Sequence, residues 1–169
     1  MNDNDVDSVL HDSAFTEWHT QITMNIAQFG HQLIGVFPED DAPAPGFTYS
    51  IGLTHKFGFE LFVIGLPFSS AAALLNHIAI ALGTGRALEI GVKDNHWANL
   101  PVIFAEADHR IHGYVCQADR YYGKEVRVLQ ILLPDKDGNF IGEAHYDTEY
   151  MEPRQPILCT RTQLQLQSR

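Results

Sequence analysis

Pro45-Gly46-Phe47-Thr48-Tyr49-Ser50-Ile51-Gly52-Leu53 is the stretch that decides how this chain folds. Phe47, Tyr49, Ile51 and Leu53 alternate with Thr48, Ser50 and Gly52, the two-residue period of a strand with one buried face. A glycine stands near each end, where a side chain would obstruct a turn or a close approach. Read as a plain strand, the stretch puts Tyr49 in the core and Thr48 and Ser50 on the outer face. Read as a site, it lets Tyr49 and Ser50 line a groove.

The flanks support a meander. His31–Phe37 is a short apolar strand. Pro38-Glu-Asp-Asp-Ala-Pro-Ala-Pro45 is a stiff, solvated loop, because prolines and acids crowd it. Thr54–Gly58 is a turn, and Glu60–Leu66 carries Leu61, Phe62, Val63 and Ile64 as another strand. Sequential strands with short joins pair antiparallel.

Upstream, Phe15, Trp18, Ile22, Ile26 and Phe29 recur at helical spacing after a candidate cap at Ser13, and Gly30 stops the helix. Residues 1–12, with Asp3, Asp5, Asp7 and Asp12, are expected as a disordered acidic leader. Downstream, Pro67 ends a strand and Ser69 or Ser70 can cap a helix whose apolar face is Ala72, Leu75, Ile78 and Leu82. Strands are expected over 87–92, 101–107, 125–133 and 139–142. A helix is expected from Ile111 to Gly123, and residues 159–169 are expected as a tail. Clustered strands with short joins predict a single α+β domain over 13–158. Its sheet is mostly antiparallel, with about five to six strands and helices packed on one side.

Composition narrows the function classes. A chain of 169 residues with 45% hydrophobic content can bury a real core. Its net charge of −10 repels phosphate backbones, so nucleic acid is not an expected partner. Two cysteines, Cys116 and Cys159, are too few for a disulfide scaffold and read as reduced thiols in a cytoplasm. The first residues carry no secretory pattern, and the longest apolar run, Ala71–Leu82, is too short for a membrane span. The expected partner is a protein or small molecule, or a second copy of the chain, with no cofactor.

The chain also resembles a known family. Phe47-Thr-Tyr-Ser-Ile-Gly-Leu53, Gly58-Phe-Glu-Leu61 and Val63-Ile-Gly-Leu66 are similar to a bacterial domain family known only as a domain of unknown function. Members carry a Tyr-(Thr/Ser)-Ile-Gly-Leu strand, a Leu-Leu-Asn helix, a late Gln-x-x-x-Pro-Asp-x-x-Gly segment and a closing Gln-Pro. Leu74-Leu75-Asn76, Gln130 with Pro134, Asp135 and Gly138, and Gln155-Pro156 match the last three in turn. Two departures stand out: Phe59 replaces the proline usual before the glutamate, and Phe140 alone represents an aromatic-rich segment. The resemblance covers roughly residues 14–157 and implies a fold rather than an activity.

Candidate chemistry falls into two groups. A pocket beside the central strand would be lined by Tyr49, Ser50, His55, Glu60 and Trp97. Ser50 lacks the Gly-x-Ser-x-Gly elbow that exposes a nucleophile, so this group points to binding. His109-x-x-His112-x-x-x-Cys116 has metal-like spacing, because positions i, i+3 and i+7 share one face of a continuous helix. The same residues could serve a small enzyme, with Cys116 as nucleophile and His112 as base. The bland reading is a set of ordinary surface histidines and an inert thiol. The expectation is a binding or interaction domain. The alternative is a small enzyme or metal-binding protein using His109, His112 and Cys116.

Overall fold

The computed structural model describes residues 3–39 and 44–160, with 3–12 described for their backbone only. The five strands among them are β1 (Gln32–Val36), β2 (Phe47–Ile51), β3 (Glu60–Ile64), β4 (Ile103–Glu106) and β5 (Val128–Leu132). They form one sheet in the order β1-β2-β3-β5-β4. The meander is as expected: β1 pairs antiparallel with β2, with Ile34 opposite Tyr49, and β2 pairs antiparallel with β3, with Tyr49 opposite Phe62. Farther along, β4 takes the outer edge and β5 enters between it and β3, parallel to β3 and antiparallel to β4.

The helices cover both faces, and this corrects the one-sided arrangement. On one face, α3 (Phe68–Gly83) packs Ala71, Leu75, Ile78 and Leu82 onto Leu61, Val63, Leu129 and Ile131. On the other, α1 (Asp3–Phe29) and α4 (Cys116–Tyr122) bring Ile22, Val115 and Ala118 onto Tyr49, Ile51, Phe62 and Ile64. The continuous apolar run of β3 was the sign: a strand buried on both faces has no polar side to alternate with. Every residue of β3 and of β5 is buried.

Several boundaries move. The N-terminal helix does not wait for Ser13 but runs back to Asp3, through the stretch expected as a disordered leader. No glycine or proline interrupts residues 3–29, and acids near a helix N-terminus interact favourably with the macrodipole. Phe29 lies off its buried stripe and is 65% exposed. The Thr54–Gly58 turn contains one helical turn, α2 (Thr54–Phe57), closed by Gly58 in the left-handed region. Pro67, not a serine, precedes α3.

The segment expected as a strand over 87–92 makes one bridge, Ile90 to Phe104. Residues 139–142 form no strand; Asn139 closes a turn on Asp135 instead, and Phe140 is fully buried. The expected helix over 111–123 is two pieces, a 3-10 helix (His109–Gly113) and α4. A short α5 (Thr148–Met151) follows β5. The tail lies outside the described residues from 161 onward.

Candidate functional site

The centre of the molecule is a buried carboxylate. Glu60 begins β3 and has no exposed surface. Its Oε2 accepts a hydrogen bond from Ser50 Oγ at 2.6 Å and lies 3.3 Å from the Leu53 amide. Its Oε1 accepts from the amides of Gly52 at 3.0 Å and Thr54 at 2.9 Å, and from the Tyr122 hydroxyl at 2.9 Å. A buried carboxylate without a basic partner is costly unless donors surround it, and here they do.

Local sequence builds this cradle. Antiparallel pairing of β2 with β3 brings Glu60 back alongside Ser50. Gly52, at φ +120, then turns the chain so that three successive amides point inward. A side chain at Gly52 would also run into Ile26 of α1 at 2.9 Å. The Ser50 hydroxyl both donates and accepts, since it also accepts from the Leu61 amide at 2.9 Å. Ser50 has no exposed surface, and the serine–carboxylate pair ties β2, α2 and β3 together. Tyr122 adds α4 to the tie. Burial raises its phenol well above the ordinary range, and the Glu60 charge and hydrogen bond raise it further, so it stays a donor.

The other residues of the expected pocket do not join into an open groove. Tyr49 and Trp97 are each 1% exposed and Thr48 is equally buried, because helices close both faces. Tyr49 packs among the residues under α4, while Trp97 belongs to the core under α3. Trp97 Nε1 donates to Asp94 Oδ2 at 2.8 Å, and the Arg86 guanidinium lies over its ring. His55 alone is exposed, its ring edge-on to Tyr122 at 5.1 Å between centroids.

The structure does not bring His109, His112 and Cys116 together as a ligand set, and among the described residues no three His, Cys, Asp or Glu side chains are placed to hold a metal ion. The break between the 3-10 helix and α4 removes the common face that the spacing assumed. His112 turns to Asp119, Nδ1 to Oδ2 at 2.8 Å, with Glu125 3.6 Å from its other nitrogen. Asp119 in turn accepts from the Val126 amide. His109 and Cys116 are exposed. Cys159 is buried, and burial pushes its thiol up to about 11. Asp108 caps the 3-10 helix, and the hydrogen bond from Arg110 holds its carboxyl down at about 2.

A second set of buried polar groups fastens the C-terminal segment. Gln130 donates from Nε2 to the Pro156 carbonyl at 2.8 Å and accepts at Oε1 from the Leu158 amide at 2.8 Å. Gln155 treats Leu133 as a strand would, accepting from its amide at 2.7 Å and donating to its carbonyl at 3.1 Å. Asp135 gathers the amides of Asp137, Asn139 and Asp147. Burial alone would raise the Asp135 pKa, but these amides outweigh it and leave it lowered. Tyr122 was not visible as a site residue in the sequence, because it stands 62 positions from Glu60 with no local motif around it.

Some of the residues that carried the family resemblance make these ties: Ser50, Gly52 and Glu60 in the cradle, and Gln130, Asp135 and Gln155 at the far end. No curated protein matches the chain. A crystal structure of a protein proposed as a SUFU (suppressor of fused protein) homolog from Neisseria gonorrhoeae FA 1090 is similar at 14% identity and a TM-score of 0.41. The match covers 80% of this chain and 87% of that one, a likeness at which nothing follows about binding or activity. The model of the family described as "Domain of unknown function (DUF4262)" matches residues 25–147, and the chain belongs to that family.

Proposed function

We propose that the protein is a cytoplasmic binding domain that takes an extended segment of a partner protein along the outer edge of β1. The observation that carries this is the edge itself. Among the described residues β1 pairs with β2 alone, and its five residues, Gln32–Val36, carry no charge. Phe37 and Phe68, 68% and 42% exposed, meet edge to face at 5.7 Å beside its end. Gly35 makes room for the Phe68 ring, whose atoms stand 2.5 Å from where a β-carbon would be. An open edge supplies backbone donors and acceptors to an incoming strand, and adjacent rings supply pockets for its side chains. The interior offers less, because the Ser50 hydroxyl of β2 and the Glu60 carboxylate of β3 are spent on holding those strands together. No helix among the described residues is long and apolar enough to cross a membrane.

Selection of binders from a displayed library of random linear peptides tests the reading. Recovered peptides should lose at least about tenfold in affinity, about 1.4 kcal/mol, against Phe37→Lys. They should bind His112→Ala unchanged. Binders indifferent to both Phe37→Lys and Phe68→Ala would place recognition elsewhere.

A further inference from the structure

The β1 edge is open along only part of its length. The Gly65 amide bonds the Gly46 carbonyl, so in β2 the backbone groups of Gly46 and Thr48 face β3 and those of Phe47, Tyr49 and Ile51 face β1. With Val36 opposite Phe47 and Ile34 opposite Tyr49, the groups of Leu33 and Gly35 face outward. The Leu33 carbonyl nevertheless already accepts one bond: Gln32 Nε2 donates to it at 2.8 Å. Gln32 Oε1 accepts from Asn25 Nδ2 at 2.6 Å, and Asn25 Oδ1 accepts from Gln21 Nε2 at 3.0 Å. Three side-chain amides thus run in series from one face of α1 onto an edge carbonyl. Each amide offers a donor at one end and an acceptor at the other, so the row has one consistent direction.

We infer that this Gln21–Asn25–Gln32 row is a guard that keeps two copies of the chain from joining their sheets through β1. Two copies pairing antiparallel about Ile34 would need the outward groups of Leu33 and Gly35 on both strands. Gln32 already donates to one of them on each strand, so an incoming strand would have to share or displace that bond. Among the described residues, Gln32–Val36 itself has no lysine, no proline and no bulge to protect the edge. The net charge of −10 also opposes self-association, but that protection is screened by salt and the amide row is not. The guard leaves Gly35 and Phe37 uncovered, the end where a partner segment would add, but the inference stands on the hydrogen bonds alone.

Gln32→Ser keeps the position polar and removes the reach to Leu33. Asn25→Ser loosens Gln32 without touching the strand. Mass in solution is measured by light scattering across roughly 5–500 µM protein in about 0.5 M salt, where the Debye length is only a few ångströms. The parent should remain a monomer throughout. Both variants should move toward doubled mass, and their Gly35 amide should become protected from hydrogen exchange as concentration rises. Adding Phe37→Lys to Gln32→Ser should restore the monomer. If both folded variants stay monomeric, or if the parent itself pairs through β1, the inference is overturned. A Gln32→Ser that fails to fold leaves Asn25→Ser to decide, because that change lies on α1, outside the sheet.

Discussion

Ser50 and Glu60 lie 10 residues apart and end at 2.6 Å; His109, His112 and Cys116 lie within eight residues of one another and do not converge as ligands. The difference is the element between them. An antiparallel pair returns the chain beside itself, so residues flanking the turn meet whatever the turn contains. A helical spacing holds only while the helix is continuous, and Tyr114 and Val115 interrupt this one between the 3-10 helix and α4. Buried polar groups of the first kind are completed by backbone amides. Groups of the second kind take individual surface partners, such as Asp119 for His112 and Arg110 for Asp108. The first should matter greatly to stability and the second little.

Four measurements press on that contrast. Glu60→Ala leaves several buried donors without an acceptor and should cost about 3 kcal/mol or more in urea unfolding, with Glu60→Gln costing roughly half as much. A loss below about 1 kcal/mol would mean the cradle is solvated or rearranges easily. Gln155→Ala orphans the amide and carbonyl of Leu133 and should cost about 2 kcal/mol by the same measurement. It should also raise hydrogen exchange over residues 155–159 before the rest of the sheet.

On the exposed side, Arg110→Ala should cost less than about 1 kcal/mol at neutral pH. Its signature is in acid. Asp108 has a folded-state value of about 2 against an ordinary 3.8, so its contribution is present above pH 3.8 and disappears as pH falls through about 2. The stability difference between parent and variant should therefore shrink across that interval, and a constant difference would show that Arg110 acts through packing instead. The smallest expected effect is at Cys116. Cys116→Ala should leave stability within about 0.5 kcal/mol. In the native parent one thiol should react with a disulfide reagent, and in the variant none should do so quickly, because Cys159 is buried and its thiol lies near 11. Two fast thiols in the parent would mean that the C-terminal segment opens readily, despite Gln130 and Gln155.

Much of the fold was legible. The alternation through Phe47–Leu53, the apolar run of β3 and the periodic face of α3 each describe a local geometry, and each produced the expected element. The errors came where a local pattern needed a distant partner. Ser50 and Thr48 alternate with apolar residues as solvent-facing residues do, yet α3 covers them. A mixed apolar run such as Ala87–Val92 cannot be told from a loop that touches a strand once, as Ile90 touches Phe104. Tyr122 had no motif to announce it. Gln130, Asp135 and Gln155 were legible only as points of family resemblance, since a glutamine in a strand reads as a surface residue until something is seen to cover it.

By itself the sequence determined the meander, the single α+β domain, the net negative charge and the shortage of cysteines. These follow from periodicity and composition, which act over a few residues or over the whole chain. Only the tertiary structure decided that both faces of the sheet are closed, that β5 enters between β3 and β4, and that the carboxylate of Glu60 is buried and ties β2, α2, β3 and α4 together. It also decided that the outer edge of β1 is held at one end by a row of amides from α1. These are contacts between segments far apart in the chain, set by which surfaces can be buried together without leaving a polar group unpaired.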